Sequence, residues 1–364
     1  WLEALHHMKV MQKEGSIQEI GVTNFDSMHL NLALSDGIPI ITNQVSFSLI
    51  DRRASGALTT LCNNSSVKLL AYGTLCGGFL SEKWLGSPEP RKINDWSKMK
   101  YKRFIDLAGG WTVFQYILAT ANQIAEKHHV SIANVATRWV LEQTGVAGVI
   151  IGARLGENYH GSDNIKLFSF SLDSQDYANL EIAFDKTNAI PGDCGDEYRK
   201  PPFLTASGDL SDHINTIPFS NKKEEVYLQP NAERILSGSK WENIAGYCRA
   251  HRIEDRIYIS GTTATDGLER MVAPNDAGAQ TTFILDKILE ALLALGSRME
   301  DVVKTRIYIV DEQDVNSVSH AHGHIFKNIK PVNTLIVVKK LIGDYRVEIE
   351  AEALIRSSND ETPI

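Results

Sequence analysis

Residues 330–354 read "KPVNTLIVVKKLIGDYRVEIEAEAL", and this stretch decides the fold of the C-terminal third. "VEIEAEA" alternates strictly. Glu348, Glu350 and Glu352 therefore point to one face of a strand, and Val347, Ile349 and Ala351 to the other. "TLIVV" is a second apolar strand, entered just after Pro331. The pair reads as two strands joined by a short turn. A polar Asn333-Thr334 at the mouth of the first strand either caps that turn or faces a ligand.

Working outward, residues 231–357 keep one rhythm. "IAGYCRAHRI" and "DRIYISGTTA" form a hairpin across Glu254-Asp255, with Tyr247 and Arg249 on its first strand. "AGAQTTFILDKILEALLALG" is a long helix ended by Gly296, a favoured C-cap. "DVVKTRIYIV" is a strand, and "VNSVSHAHGHIFKNI" is a helix begun after Asp314. The order ββαβαββ predicts an α+β domain with two helices on one face of a mixed sheet. Three carboxylates on one sheet face repel, so partners such as Arg249 or Arg346 are expected. Glu348 is the carboxylate singled out for catalysis or ligand contact. His320 and His324 lie four apart on a helix, but no third ligand is indicated, so no metal site is expected.

Residues 1–185 have a different rhythm, helix and strand by turns. "WLEALHHMKVMQKEG", "GALTTLCNN", "VFQYILATANQIAEKHHV" and "IANVATRWVLEQTG" read as helices. "IQEIGVTNF", "IITNQVSFSL", "VKLLAYGTL" and "VAGVIIGA" read as strands, the last buried on both faces. This alternation predicts a parallel α/β sheet, four units of an eight-unit barrel, with two open edges. Residues 186–230 are rich in Pro, Gly, Asp and Ser and read as an ordered loop or linker, and 358–364 as a tail.

The 37 basic and 45 acidic residues give a net charge of -8, which argues against a general nucleic-acid binder. No apolar run approaches ~20 residues, so no membrane span is expected. The four cysteines form no CxxC pair, which points to a reducing compartment, the cytoplasm by default, with an organelle left open. The chain opens on Trp1 inside a helical pattern, so we expect a longer parent protein.

Polar residues of the first half collect at the C-terminal ends of its strands: Thr23, Asn24, Asn43, Gln44, Tyr72 and Gly73, then Gly152 and Arg154. In a parallel barrel that rim carries the active site. Amides can hold a carboxamide, a tyrosine can stack on a flat ring, and an arginine can pair with phosphate.

The segments "EGSIQEIGVTNF", "NQVSFSLIDRR", "AYGTLCGGFLS" and "VIIGARLGENYHGSDN" resemble, in order and spacing, the aldo-keto reductase family over residues 1–185. "PGDCGDEYRKPPFLTASGDL" is similar to a tail of one branch. The resemblance implies strands 5–8 of a TIM (β/α)8 barrel that reduces carbonyl compounds with NADP(H). It implies that Asn24 and Gln44 hold the nicotinamide carboxamide and that Tyr72 stacks on its ring, with Thr23, Gly73 and Gly152 among the cofactor-binding positions. Arg154 and Asn164 would lie near the adenosine phosphate and adenine. The family's catalytic Asp, Tyr, Lys and His belong to its first four strands, and no residue here takes those roles. His6, His7, His128 and His129 read as solvated helix histidines. We therefore expect a fragment of a fused reductase.

Residues 231–357 resemble the Rid (YjgF) family through "AGYCRAHRIEDRIYISGTTATDG", "ALGSRMEDVVKTRIYIVDEQD", "AHGHIFKNIKPVN" and "VEIEAEAL". The resemblance implies a chorismate-mutase-like fold, a homotrimer, and a cleft for a small metabolite. Tyr247, Ser260, Gly261 and Glu348 match cleft positions. Imine-hydrolysing members carry an arginine where this chain has Asn333, followed by Thr334. An amide cannot replace a bidentate cation, so the usual imine or enamine hydrolysis is set against a non-catalytic trimerising and ligand-binding role. Arg249 is the candidate replacement cation.

Overall fold

A computed structural model describes residues 1–152, 160–199, 222–225 and 232–355. The chain divides into two compact units, residues 1–27 with 39–215, and residues 28–38 with 216–364.

The first unit is built on a four-stranded parallel sheet in the order β1 (Ile20–Thr23), β2 (Ile40–Ser46), β3 (Lys68–Tyr72), β4 (Val146–Ile150). Helices α1 (Leu2–Lys13), α2 (Ser27–Ser35) and α3 (Ala57–Ser65) alternate along the chain with the first strands, but residues 28–35 of α2 belong to the second unit. Helices α4 (Trp96–Leu107), α5 (Gly110–His128) and α6 (Ile132–Leu141) lie between β3 and β4 in the chain. Strand β4 is half-exposed rather than buried on both faces, because it is an edge of this sheet. Its apolar run resembled a central strand, but among the described residues β3 is its sole partner.

Local sequence explains the helices. Helix α5 buries Phe114, Ile117, Leu118, Ala121, Ile124 and Ala125, a stripe at 3.6-residue spacing. Each large aliphatic so buried contributes roughly 1.5–3 kcal/mol. Asp95 caps α4 by accepting from Lys98 N, and Ser131 caps α6 by accepting from Asn134 N. After α7 (Gly161–Asn164), helix α8 (Ser174–Phe184) starts with a capping box between Asp173 and Asp176. His128 is not solvated: its Nε2 lies 2.7 Å from Asp176 Oδ2.

The loop-or-linker reading of 186–230 needs correction. Residues Asp196–Arg199 form a helical turn, α9, and Cys194, Asp196 and Glu197 are buried in the first unit. Residues Lys222–Glu225 form a strand, β5.

The second unit is a seven-stranded mixed sheet with the order β10-β9-β11-β8-β7-β6-β5. Its further elements are β6 (Ala232–Leu236), α10 (Lys240–Ala245), β7 (Ala250–Ile253), β8 (Arg256–Thr263), α11 (Ala277–Ala294), β9 (Val302–Ile309), α12 (Val315–Phe326), β10 (Val332–Val337) and β11 (Val347–Leu354). The ββαβαββ core is present, with β5, β6 and α10 added before it. Helix α11 buries Ile284, Leu285, Ile288, Ala291 and Leu292.

Three local readings change. Residues 244–245 belong to α10, which Gly246 ends in the left-handed conformation, so Tyr247 and Arg249 precede β7 instead of lying on it. The β7–β8 hairpin turns at Glu254, as expected, with φ 55°. Strands β10 and β11 are not neighbours across a short turn: β9 lies between them, parallel to β10 and antiparallel to β11. Nine residues, 338–346, make that connection.

Strand β8 carries a bulge. Thr262 faces Ile349 and Ile259 faces Ala351, so Ser260 and Gly261 together oppose Glu350.

Candidate functional sites

In the first unit the strand register sets Thr23 beside Gln44 and Ser46 beside Tyr72. The C-terminal ends of β1, β2 and β3 thereby bring Thr23, Asn24, Gln44, Tyr72 and Gly73 to one edge of the sheet. Asn24 leaves β1 with φ 59°, and its N–H donates to Gln44 O at 2.8 Å. Its Oδ1 accepts from the Tyr72 hydroxyl at 2.8 Å. Asn43 is turned the other way: it is fully buried, and its amide donates to Phe25 O at 2.8 Å. Asn43 is thus a brace for the β1 exit. Gly73 has φ 69°, and a Cβ there would come 2.2 Å from the Tyr101 hydroxyl, so glycine is required. Gly152 is exposed beyond β4, and Asn164 ends α7. Arg154 lies outside the described residues.

Sequence reasoning missed the second layer of this edge. Tyr198 approaches the Tyr72 hydroxyl at 3.3 Å. Lys100 donates to the Tyr198 hydroxyl at 2.6 Å and lies 5.0 Å from the Tyr72 ring centroid. Glu197, with no exposed side-chain surface, pairs with Arg53 at 3.0 Å and Lys100 at 3.5 Å. Arg53 also binds Asp51 at 2.8 Å and donates to Asp193 O at 2.8 Å. Burial, then Tyr198 and Glu197, hold the Tyr72 phenol well above its usual pKa. Burial works against the Asp51 and Arg53 charges, but each holds the other ionised: the Asp51 pKa is lowered and that of Arg53 raised. The available signal was "IDRR" followed far downstream by "GDEY", and only the fold pairs them.

The donor set at this edge, two carboxamides and a phenol ring, fits a flat ring bearing an amide. The hydroxyl bonds fix the plane of Tyr72, and Gln44 stands half-exposed beside it. Residues 1–185 match the aldo/keto reductase family. The chain belongs to the aldo/keto reductase family. The reductase unit is similar to the aldo-keto reductase YhdN of Bacillus subtilis, 23% identical over 55% of this chain and 58% of that protein. The chain thus spans little more than half the length of that relative.

Residues 238–355 match the family described as Endoribonuclease L-PSP. The human 2-iminobutanoate/2-iminopropanoate deaminase is 30% identical over 33% of this chain and 89% of its own length. A solved Mycobacterium tuberculosis structure of the YjgF/YER057c/UK114 family is 36% identical, covering 34% of this chain and 99% of its own, at TM-score 0.31. One chain therefore joins an oxidoreductase-family domain to a Rid-family domain.

In the Rid unit, Glu348, Glu350 and Glu352 share one face of β11, as the alternation required. Their partners are not those expected. Glu350 binds Arg306 at 2.9 Å and Tyr308 at 2.8 Å, and Glu352 binds Lys304 at 2.6 Å. Arg346 instead binds Asp314, 2.7 Å away. The antiparallel register explains this: Glu350 faces Arg306 and Glu352 faces Lys304 across β9. Glu348 has no hydrogen bond or ion pair among the described residues. Its Oε1 lies 2.0 Å from where a Cβ on Gly261 would stand, so only glycine lets the carboxylate fold over the bulge. Burial, then Glu350, raise its pKa, and Arg249 pulls it only partly back.

Arg249 lies beside the bulge. Its Nη1 donates to Gly261 O and Thr262 Oγ1 at 2.8 Å each, and to Ser260 O at 3.3 Å. The Ser260 hydroxyl donates to Cys248 O at 2.8 Å. Tyr247 is partly exposed next to them. On the far side of the sheet, exposed Asn333 donates to Thr305 Oγ1 at 2.9 Å, and Thr305 meets His322 Nε2 at 2.9 Å. Thr334 is exposed on edge strand β10. The structure thus brings Arg249, Ser260, Gly261 and Glu348 together, and places Asn333 and Thr334 two strands away from Glu348. Among the described residues, no helix is long and apolar enough to cross a membrane.

Proposed function

We propose that the first unit is the NADP(H)-holding part of a carbonyl reductase, and that the second binds a small metabolite as a homotrimer. The observation that carries the first half is the gathering of Asn24, Gln44 and Tyr72 at one strand edge. In this reading the Asn24 and Gln44 amides hold the nicotinamide carboxamide, and Tyr72 lies against the ring. Gly152, Arg154 and Asn164 serve the adenosine side. The bound cofactor supplies a hydride for an aldehyde or ketone. Lys100 and Glu197 act indirectly, by fixing Tyr72 through Tyr198.

Gln44→Ala removes an amide that makes no hydrogen bond among the described residues, so the fold should survive. One neutral hydrogen bond is worth about 0.5–1.5 kcal/mol, so NADPH affinity should fall roughly twofold to tenfold. Fluorescence titration of the full chain measures it, and an unchanged affinity would defeat the reading.

For the second unit, the partnerless Glu348 favours a further reading, that of an imine or enamine hydrolase in which this carboxylate handles the proton. The human relative is named for such a reaction. An engaged Asn333, which has no charge to offer, favours the ligand-binding role instead. Turnover of 2-iminobutanoate by the full chain, lost in Glu348→Ala, would decide for the hydrolase. Sedimentation of the full chain tests the trimer, and a monomer would contradict it.

A further inference from the structure

The bond from Tyr72 to Asn24 is the last link of a hydrogen-bond chain that starts at a lysine. Lys100 is 6% exposed and stands among aromatic rings, its Nζ 4.5 Å from the Tyr198 ring centroid and 5.0 Å from that of Tyr72. It donates to the Tyr198 hydroxyl at 2.6 Å and to the Tyr72 hydroxyl at 3.4 Å. The two hydroxyls lie 3.3 Å apart, and the Tyr72 hydroxyl donates to Asn24 Oδ1 at 2.8 Å. Glu197 faces the lysine charge at 3.5 Å.

These bonds run in one direction. A lysine ammonium has donors and no acceptor, and each phenol has a single hydrogen. The Tyr198 oxygen accepts from Lys100, and the acceptor within reach of its hydrogen among the described residues is the Tyr72 oxygen. The Tyr72 hydrogen then goes to Asn24 Oδ1. Turning the Asn24 amide over would put its N–H on the Tyr72 oxygen and send the Tyr72 hydrogen to Tyr198. The Tyr198 hydrogen would then have no acceptor in the half-buried cluster, which is costly. The ammonium field favours the same order, because it turns both O–H dipoles away from itself. Burial, then Tyr198 and Glu197, hold the Tyr72 phenol in its protonated form, so the donor to Asn24 persists. With Oδ1 committed to Tyr72, what the Asn24 side chain offers a ligand is N–H.

We infer that Lys100 is a positioning residue that sets the polarity of the cofactor edge: through Tyr198 and Tyr72 it holds Asn24 as a hydrogen-bond donor, and so selects a ring substituent that presents a strong acceptor. In nicotinamide that acceptor is the carboxamide oxygen. Lys100 touches neither the cofactor nor the substrate in this arrangement. It acts by fixing which end of the Asn24 amide points outward. This assignment rests on the reading of the first unit as an NADP(H) holder. It adds the cofactor atom that Asn24 meets and the remote charge that decides it.

The test titrates the full chain by calorimetry with NADP+ and with its thionicotinamide analogue, in which sulfur, a weaker acceptor, replaces the carboxamide oxygen. The wild type should bind NADP+ roughly twofold to tenfold tighter than the thio analogue, the worth of one neutral hydrogen bond. Tyr72→Phe keeps the ring and removes the hydroxyl, so the preference should fall close to one. Lys100→Met should lose it as well, and Lys100→Arg, again a side chain of donors only, should keep it. Damage to packing alone would weaken both ligands together and leave their ratio unchanged. If Lys100→Met does not fold, Tyr72→Phe, which removes no charge, and Lys100→Arg decide together. Equal binding of the two ligands by the wild type would overturn the inference and spare the cofactor reading. A preference that survives Tyr72→Phe or Lys100→Met, or is lost in Lys100→Arg, would do the same. Failure of both ligands to bind the wild type would overturn both.

Discussion

Two glutamates show how differently the two units treat charge. Glu197 of the reductase unit has no exposed side-chain surface and is held between Arg53 and Lys100. Glu348 of the Rid unit is half-buried and makes no hydrogen bond or ion pair among the described residues, although Arg249 is near enough to offset part of the rise in its pKa. A buried network such as Asp51–Arg53–Glu197–Lys100 sets two carboxylates against two cations and fixes geometry, here the plane of Tyr72. An open pair such as Arg249 and Glu348 keeps its capacity for something outside the chain.

The largest test of this contrast is Glu197→Ala. It leaves buried Lys100 without its carboxylate and Arg53 with Asp51 alone, and losing one partner of a buried ion pair costs about 3–5 kcal/mol. Urea unfolding of the first unit should show a loss of that size. A loss below about 1 kcal/mol would mean that the cluster is not closed.

Gly261→Ala comes next. The added methyl meets the Glu348 carboxylate, and overpacking of this kind costs about 1–3 kcal/mol. In Gly261→Ala/Glu348→Ala the penalty should largely vanish, whereas Glu197→Ala should gain nothing from Gly261→Ala. Additive effects of the two Rid substitutions would break the picture of a carboxylate folded over the bulge.

The pH dependence of stability is a smaller effect with a definite sign. The Glu348 pKa is raised in the folded state, so between the ordinary carboxylate value and that raised value the folded chain binds more protons than the unfolded one. Stability must therefore fall as pH rises through that window. Glu348→Gln should flatten the fall, as read from unfolding midpoints as pH rises from the ordinary carboxylate value, and an unaltered slope would contradict the unpaired state of Glu348.

Arg306→Ala should matter least. Its ion pair with Glu350 is more than a third exposed, and such pairs contribute at most about 0.5–1 kcal/mol. A larger loss would place Glu350 with the buried charges and blur the contrast.

Much of this architecture was legible in the sequence. The alternation of "VEIEAEA" fixed the common face of Glu348, Glu350 and Glu352, and strand ends placed Thr23, Gln44 and Tyr72 on one edge. Pairing was not legible, because it depends on register between distant strands. Nothing local says that Glu350 meets Arg306, or that β9 separates β10 from β11. Helices α2, α4 and α8 went unread although Asp95 and Asp173 are ordinary N-cap residues. The buried turn at Asp196–Arg199 was hidden by its loop-like composition. Gly and Pro around it speak for turns, whereas its burial comes from Arg53 and Lys100, far back in the chain. Likewise, the bulge that exposes the Ser260 and Gly261 carbonyls to Arg249 leaves no mark in "YISGTTA".

One pair of titrations tests the central claim most directly: that a single chain carries two independent small-molecule sites, one for each unit. The full chain is titrated with NADPH and with 2-oxobutanoate, each in the wild type, Gln44→Ala and Arg249→Met. The account predicts that Gln44→Ala weakens NADPH alone and that Arg249→Met weakens 2-oxobutanoate alone. Loss of both ligands in either variant, or of neither in both, would contradict it.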